Sequence, residues 1–245
     1  MIGAFDRRFG WDSLCALGLP AQGAGGLSDQ MGYINLRCKL IEGFCVLWLV
    51  VGFGVSDFAQ DRLPEIPPDK MTEAQKKASE EFVAGRGTPV VGPFIPLLRS
   101  PEVMLSAKSM GDYLRFKTVL EPKLRELAIL VTARQWTQQY EWIFHSPVAR
   151  KAGLDPEIIR AVAEGRRPTK MSAEEALVYD FCIELHHNKG VSDATYAKAL
   201  ASFGEQGIVD LASVNGYYTL LSMVMNVART APPKSSEPAL ALFPE

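Results

Sequence analysis

From Thr72 onward apolar positions recur with a helical period, and no stretch alternates strictly enough to read as a strand. Thr72 and Gln75 have the spacing of a capping box and open a short polar helix to about Val83. Ser100-Pro101-Glu102 sets a cap and a first-turn proline for a helix to about Phe116. Glu121-Pro122 opens the next, where Leu124, Leu127, Ala128, Leu130, Val131 and Ala133 leave little polar surface, which predicts burial nearly all round. A helix over Trp136 to His145 follows. Pro147 has no amide hydrogen for the Ile143 carbonyl, so a break with Ser146 as the new cap is expected there, and Ala152-Gly153 closes the turn. That break puts His145 near a helix end, where the dipole favours imidazolium. Asp155-Pro156 caps a helix to Glu164, ended by Gly165. Ser172 and Glu175 form a second capping box, leading a helix through His187. Ser192 or Asp193 starts another to about Phe203, and a last apolar helix runs from Gln206 to Ala228. The pattern predicts an all-α domain over residues 72–232, with seven or eight helices, no internal repeat and a loose tail over 233–245.

The first 60 residues read as a leader. Residues 1–30 are rich in glycine and small side chains without a sustained period, as in a disordered extension. Arg37 and Lys39 then precede the apolar run Phe44 to Val55, with Gly54 and Ser56 as small residues at its end. With Met31 as the start, this is the layout of a secretory signal, and the protein is exported; Glu42 and the long leader count against it. The same run also fits an uncleaved membrane anchor or a buried helix of a cytoplasmic protein, although it is shorter than the roughly 20 residues a spanning helix needs. Residues 61–71, DRLPEIPPDKM, form a Pro-rich linker. Between the first two helices, GRGTPVVGPFIPLLRSPE is either a strap over the core or a pocket wall made by Phe94, Leu97 and Leu98.

Composition narrows the chemistry. The 245 residues, 47% hydrophobic, suffice for one domain with a full core. A net charge of -2 and scattered Lys and Arg exclude an electrostatic footprint for nucleic acid. Cys15, Cys38, Cys45 and Cys182 contain no CxxC pair, and without the leader Cys182 stands alone, which leaves no disulfide or dithiol. A metal held by Glu141 and His145 would need a third or fourth ligand, for which only Glu184, His186 and His187 offer the right types, and neighbouring histidines on a helix cannot face the same way; no metal site is assigned.

Proton-transfer chemistry has better support. Glu141 and His145 are four residues apart, about one helical turn, and so share a face behind Tyr140 and Trp142. Glu126 lies in the helix expected to be buried, where a carboxylate must be paired or functional. Arg134 is its expected structural partner, or a residue that holds a substrate carboxylate. Tyr140, Trp142, Tyr217 and Tyr218 are open between packing and pocket.

The segments LRELAIL, YEWIFH and AGL between Leu124 and Leu154, with NGYY at Asn215 to Tyr218, resemble the carboxymuconolactone decarboxylase family, which shares its fold with alkyl hydroperoxidase D. The resemblance spans about residues 72–232. It implies a compact helical fold, a trimer or hexamer, and a small-molecule substrate. The alkyl hydroperoxidase D branch carries a Glu, a CxxC and a His four residues after the second Cys. Counted back from His145, those positions here are Glu126, Gln138 and Glu141. The proton-relay residues match and the thiols are missing, so the resemblance implies the decarboxylase-type branch: a lyase or isomerase acting on a small lactone or carboxylated ring without a cofactor. His145 would be proton donor or base. Glu141 would orient the imidazole and raise its pKa, Glu126 would relay protons, and Phe94, Leu98, Arg134, Tyr140 and Trp142 would contact substrate. A catalytically silent scaffold of the same fold, or a residual peroxiredoxin-like activity disfavoured by the missing CxxC, are the alternatives.

Overall fold

The computed structural model describes residues 61–242; the leader and its apolar run lie outside the described residues. Eight α-helices follow a single 3-10 turn at Pro68–Lys70 within the linker: α1 Glu73–Arg86, α2 Phe94–Leu97, α3 Pro101–Phe116, α4 Pro122–Gln135, α5 Gln139–Lys151, α6 Pro156–Ala163, α7 Ala173–Asn188 and α8 Asp193–Ala228. Among the described residues there is no strand.

Local signals explain most boundaries. The capping boxes at Thr72/Gln75 and Ser172/Glu175 are both formed reciprocally, and the Asp155 and Ser192 side chains each accept from a first-turn amide. Ser100 and Glu121 precede helices without a side-chain cap; prolines 101 and 122, with φ fixed at a helical value, set those starts. At Gly204 the backbone takes φ 66 and ψ 179, which separates the two parts of α8 where two helices were expected.

Every residue of α4 from Glu126 to Arg134 is buried. Its neighbours α5, α6, α7 and α8 pack around it, so this apolar helix is the axis of the domain. Helix α3 is tied to α8 through Asp210, whose buried carboxylate accepts from the Tyr113 and Thr118 hydroxyls and the Val119 amide.

Two expectations are corrected. Helix α5 runs straight through Pro147 to Lys151, so His145 lies in its middle and not at an end. The proline forfeits one hydrogen bond and costs about 3 kcal/mol. Trp142, Ile143, His145, Ser146 and Ala149 are buried along that helix, however, and their packing outweighs the loss; Ser146 does not cap but donates its hydroxyl to the Trp142 carbonyl at 2.7 Å. The tail is the second correction, because it is docked. Leu240 is buried in the core, and the Gln139 side chain reads its backbone twice, accepting from its amide and donating to its carbonyl, both at 2.8 Å. Glu237 pairs with Arg150. A burial worth about 1.5–3 kcal/mol, with both backbone groups satisfied, holds a segment with no regular structure of its own.

One close approach makes a testable point. An added Cβ on Gly111 would lie 2.2 Å from the Tyr217 hydroxyl oxygen. Alanine is the better helix former, yet here Gly111→Ala is expected to lower stability by about 1–3 kcal/mol through overpacking. A thermal melt unchanged or raised would contradict this.

Candidate active site

His145 sits between two carboxylates supplied by different helices. Its Nδ1 lies 2.7 Å from Glu126 Oε2 on α4, and its Nε2 lies 3.4 Å from Glu141 Oε2 one turn earlier on α5. All three side chains are almost wholly buried, at 2–3% exposure. With Nδ1–H donating to Glu126, the neutral ring has its lone pair on Nε2, facing Glu141. Glu126 therefore orients the imidazole, a role expected of Glu141. The Tyr218 ring stands edge-on to His145 with centroids 5.1 Å apart and closes the other side.

Glu141 has the distinctive environment. Its Oε1 is buried with no hydrogen-bond partner among the described residues. Burial pushes its pKa above the ordinary carboxyl range and Glu126 adds to this, while His145 and Arg115 pull the other way. Burial likewise raises Tyr217 to about 12 and Tyr218 well above its ordinary value, so both phenols stay protonated donors at neutral pH. Tyr140 is shifted upward by burial and by Glu141.

A cavity of about 60 Å³ opens onto Glu141 and His145. Val91, Pro93, Phe94, Phe144 and Leu221 form its apolar walls, with Arg86, Arg115, Tyr140 and Tyr217 as its polar lining. Tyr140 and Phe144 stack at 6.4 Å, and Phe144, 40% exposed, lies edge-on to His145. Gly92, at φ 58, lets the loop before α2 lie against the Tyr140 ring, where a Cβ would come within 2.6 Å.

The sequence-derived site residues separate accordingly. Glu126, Glu141, His145, Phe94 and Tyr140 come together. Leu98 is a core residue away from the cavity lining, and Trp142 turns toward α6, bordering a different cavity of about 450 Å³ beside Ile159 and the docked tail. Neighbouring positions on a helix point about 100° apart, and that step carries Trp142 off the face on which Glu141 and His145 meet the cavity. Arg134 is the largest correction. It stands eight residues from Glu126 along α4, about 12 Å, and donates to the Ala241 carbonyl at 2.6 Å. It neither pairs with Glu126 nor lines the cavity.

Sequence reasoning missed Arg86, Arg115 and Phe144. Phe144 was within reach, one position before His145. The arginines end helices remote from the motif and carry no local signal.

The remaining candidate ligands are engaged elsewhere. Glu184 accepts from Ser192 and Thr195, His186 bonds Thr132 and His187 bonds Gln135. Among the described residues no group of three or more metal-ligating side chains gathers. Gln138, at one of the dithiol positions, caps α5 by accepting from the Tyr140 amide and donates to Asn226. Cys182 is fully buried against Asn215, and burial pushes its thiol up to about 12. It supplies no thiolate at neutral pH.

A helical domain built on one buried axis, with a buried Glu-His-Glu cluster, is similar to known proteins. Residues 101–179 match the model of the carboxymuconolactone decarboxylase family. Among solved structures, the fold is similar to an uncharacterized peroxidase-related protein from Silicibacter sp. TM1040. That match has 18% identity and a TM-score of 0.57, and covers 70% of this chain and 90% of the other. It is similar also to an uncharacterized peroxidase-related protein from Ralstonia eutropha JMP134, described as an alkylhydroperoxidase AhpD core. Here identity is 18% and the TM-score 0.58, with 70% of this chain and 92% of that one covered. These likenesses establish the fold. No curated protein matches the sequence.

Proposed function

We propose that the protein is a lyase or isomerase of the carboxymuconolactone decarboxylase type, acting on a small lactone or carboxylated ring by proton transfer at His145. The observation that carries this reading is the buried Glu126-His145-Glu141 cluster at the floor of a cavity, with one Glu141 oxygen left without a hydrogen-bond partner among the described residues. Such an arrangement needs a proton acceptor and a proton donor side by side, and it has both. In isomerisation, Nε2 takes a proton from carbon beside a carbonyl to give a dienolate, and the proton returns at another carbon. In decarboxylation, the bond to the carboxyl carbon breaks, carbon dioxide leaves, and the dienolate accepts a proton from His145 or from neutral Glu141. Protonated Tyr217 and the nearby arginines can stabilise the enolate oxygen.

A peroxidase reading through this site is disfavoured, since Gln138 and Glu141 occupy the dithiol positions. The cavity's size favours a second reading, a catalytically silent binding or scaffold protein. About 60 Å³ holds a few waters and no ring acid, so the cavity must widen before a ring substrate enters. Exposed Val103, Met110, Leu220, Met223 and Val227 on α3 and α8 support self-association in either case, in line with the trimer or hexamer expected of the family.

The test is a panel of lactones and ring carboxylates incubated with the full-length protein, with products followed by mass spectrometry. Loss of carbon dioxide or a double-bond shift is expected, slowed about 10²–10⁴-fold by His145→Ala. Unchanged turnover removes His145 from the mechanism, and an inert wild type supports the scaffold.

A further inference from the structure

Two cations reach the cavity wall, and their surroundings differ. Arg86 pairs with Asp112 at 2.9 Å and lies over the Phe82 and Phe94 rings at 5.0 and 4.5 Å. Its guanidinium is ion-paired, sharing Asp112 with Lys108 at 2.8 Å, and is packed between aromatic rings. Arg115, at the end of α3, lies over the Phe116 and Phe144 rings at 5.2 and 5.7 Å. Among the described residues it makes no ion pair within 4.0 Å; Glu141 acts on it only through its field. An apolar cavity lined by an arginine with no ion-paired carboxylate has an opening for one anionic group.

We propose that Arg115 is the specificity-determining residue of the site, receiving a carboxylate of the substrate at the cavity mouth while the reacting carbon lies at His145 Nε2. The inference rests on the proton-transfer reading of that histidine. A guanidinium held against aromatic faces is weakly hydrated and keeps its planar fork, which matches a carboxylate with two parallel hydrogen bonds. Of the two rings that flank it, Phe144 lines the cavity, and an unsaturated ring or chain would lie against it. A carboxylate bound in this way is stabilised in its ionised ground state, so it is a group the reaction keeps. The bond that breaks or shifts lies deeper, against Glu141 and His145. Arg134, two turns beyond Glu126 and bound to the tail, has no part in this recognition.

Charge selectivity provides the test. Crotonate and benzoate would be titrated into the full-length protein beside their neutral isosteres crotonamide and benzamide, with binding followed by ligand-observed NMR. The acids are expected to bind at least about tenfold more tightly than the amides. Arg115→Gln should abolish that preference and Arg115→Lys restore part of it, with thermal melts close to wild type. His145→Ala should keep the preference, because the imidazole does not hold the carboxylate. Equal binding of acids and amides, a preference surviving in Arg115→Gln, or no saturable binding of any of the four overturns the proposal. Charge preference without His145-dependent turnover would sink the functional reading alone. His145-dependent turnover with KM unaltered by Arg115→Gln would sink the Arg115 assignment alone.

Discussion

Glu126→Gln is expected to fold, to keep its cavity and to lose about 10²–10⁴-fold in kcat on any substrate the wild type turns over. The side chain is almost completely buried and its Oε2 is 2.7 Å from His145 Nδ1, so the isosteric amide can accept the same hydrogen bond through its carbonyl oxygen. What disappears is the negative charge opposite the ring. Under the proton-transfer reading, Nε2 takes a proton from carbon and imidazolium forms beside Tyr218, Leu221 and Phe94, with an anion 2.7 Å away as the main compensation for it. The amide can also rotate to present its N–H₂ to Nδ1. That orientation would place the lone pair on Nδ1 and the proton on Nε2, the wrong tautomer for a base. The informative readout is a fall in kcat with KM little changed. Glu126→Leu, by contrast, should destabilise the domain too, since it leaves Nδ1 buried without a partner. Wild-type kcat in Glu126→Gln would show that the carboxylate is only structural.

How much of this was visible in the sequence depends on the distance over which each interaction acts. The helix starts at Thr72, Pro101, Pro122, Asp155, Ser172 and Ser192 rest on neighbours within a turn, so residue type and spacing reveal them. The Glu141–His145 proximity follows from the same four-residue logic, and the 3.4 Å separation agrees with it. The shorter contact from Glu126 joins residues 19 apart in sequence on two successive helices, and helical periodicity contains nothing about it. Burial of α4 was readable from its composition, and it implied that Glu126 needed a partner; which partner depended on how α5 packs. Arg134 was the nearest arginine along the chain, but an α-helix carries eight residues over about 12 Å. Pro147 shows a local rule overruled by tertiary packing, and the tail shows the converse: Leu240 has no periodic context, so its burial and the Gln139 bonds to its backbone had no sequence signature. Arg86 and Arg115 reach the cavity through the packing of α1 on α3 and of α3 on α8.

Glu141→Gln should separate stability from function. Burial raises the folded-state pKa of Glu141 above its ordinary value of 4.5, so between that value and the folded pKa the native protein holds a proton that the unfolded chain has released. The sign follows directly. The contribution of Glu141 to stability is fully present below about pH 4.5 and is lost as pH rises through the folded pKa. Glutamine is neutral throughout and nearly isosteric, so the variant should be more stable than wild type at pH 7–8, with the gain shrinking to nothing toward pH 4.5. The groups that face Glu141 from all sides are His145, Glu126, Arg115, Tyr140, Tyr217 and Tyr218, and of these Glu126 raises its pKa whereas His145 and Arg115 lower it. Chemical denaturation of both proteins across this range is the measurement. Equal stability at pH 8 would mean that Glu141 ionises there at no cost, compensated by imidazolium at His145 and by Arg115. Under the proton-transfer reading the more stable variant should also be the slower one, because the acid that gives its proton to the dienolate is gone. On that reading the buried Oε1, without a hydrogen-bond partner among the described residues, is a cost to the fold retained where a substrate carbon would meet a proton.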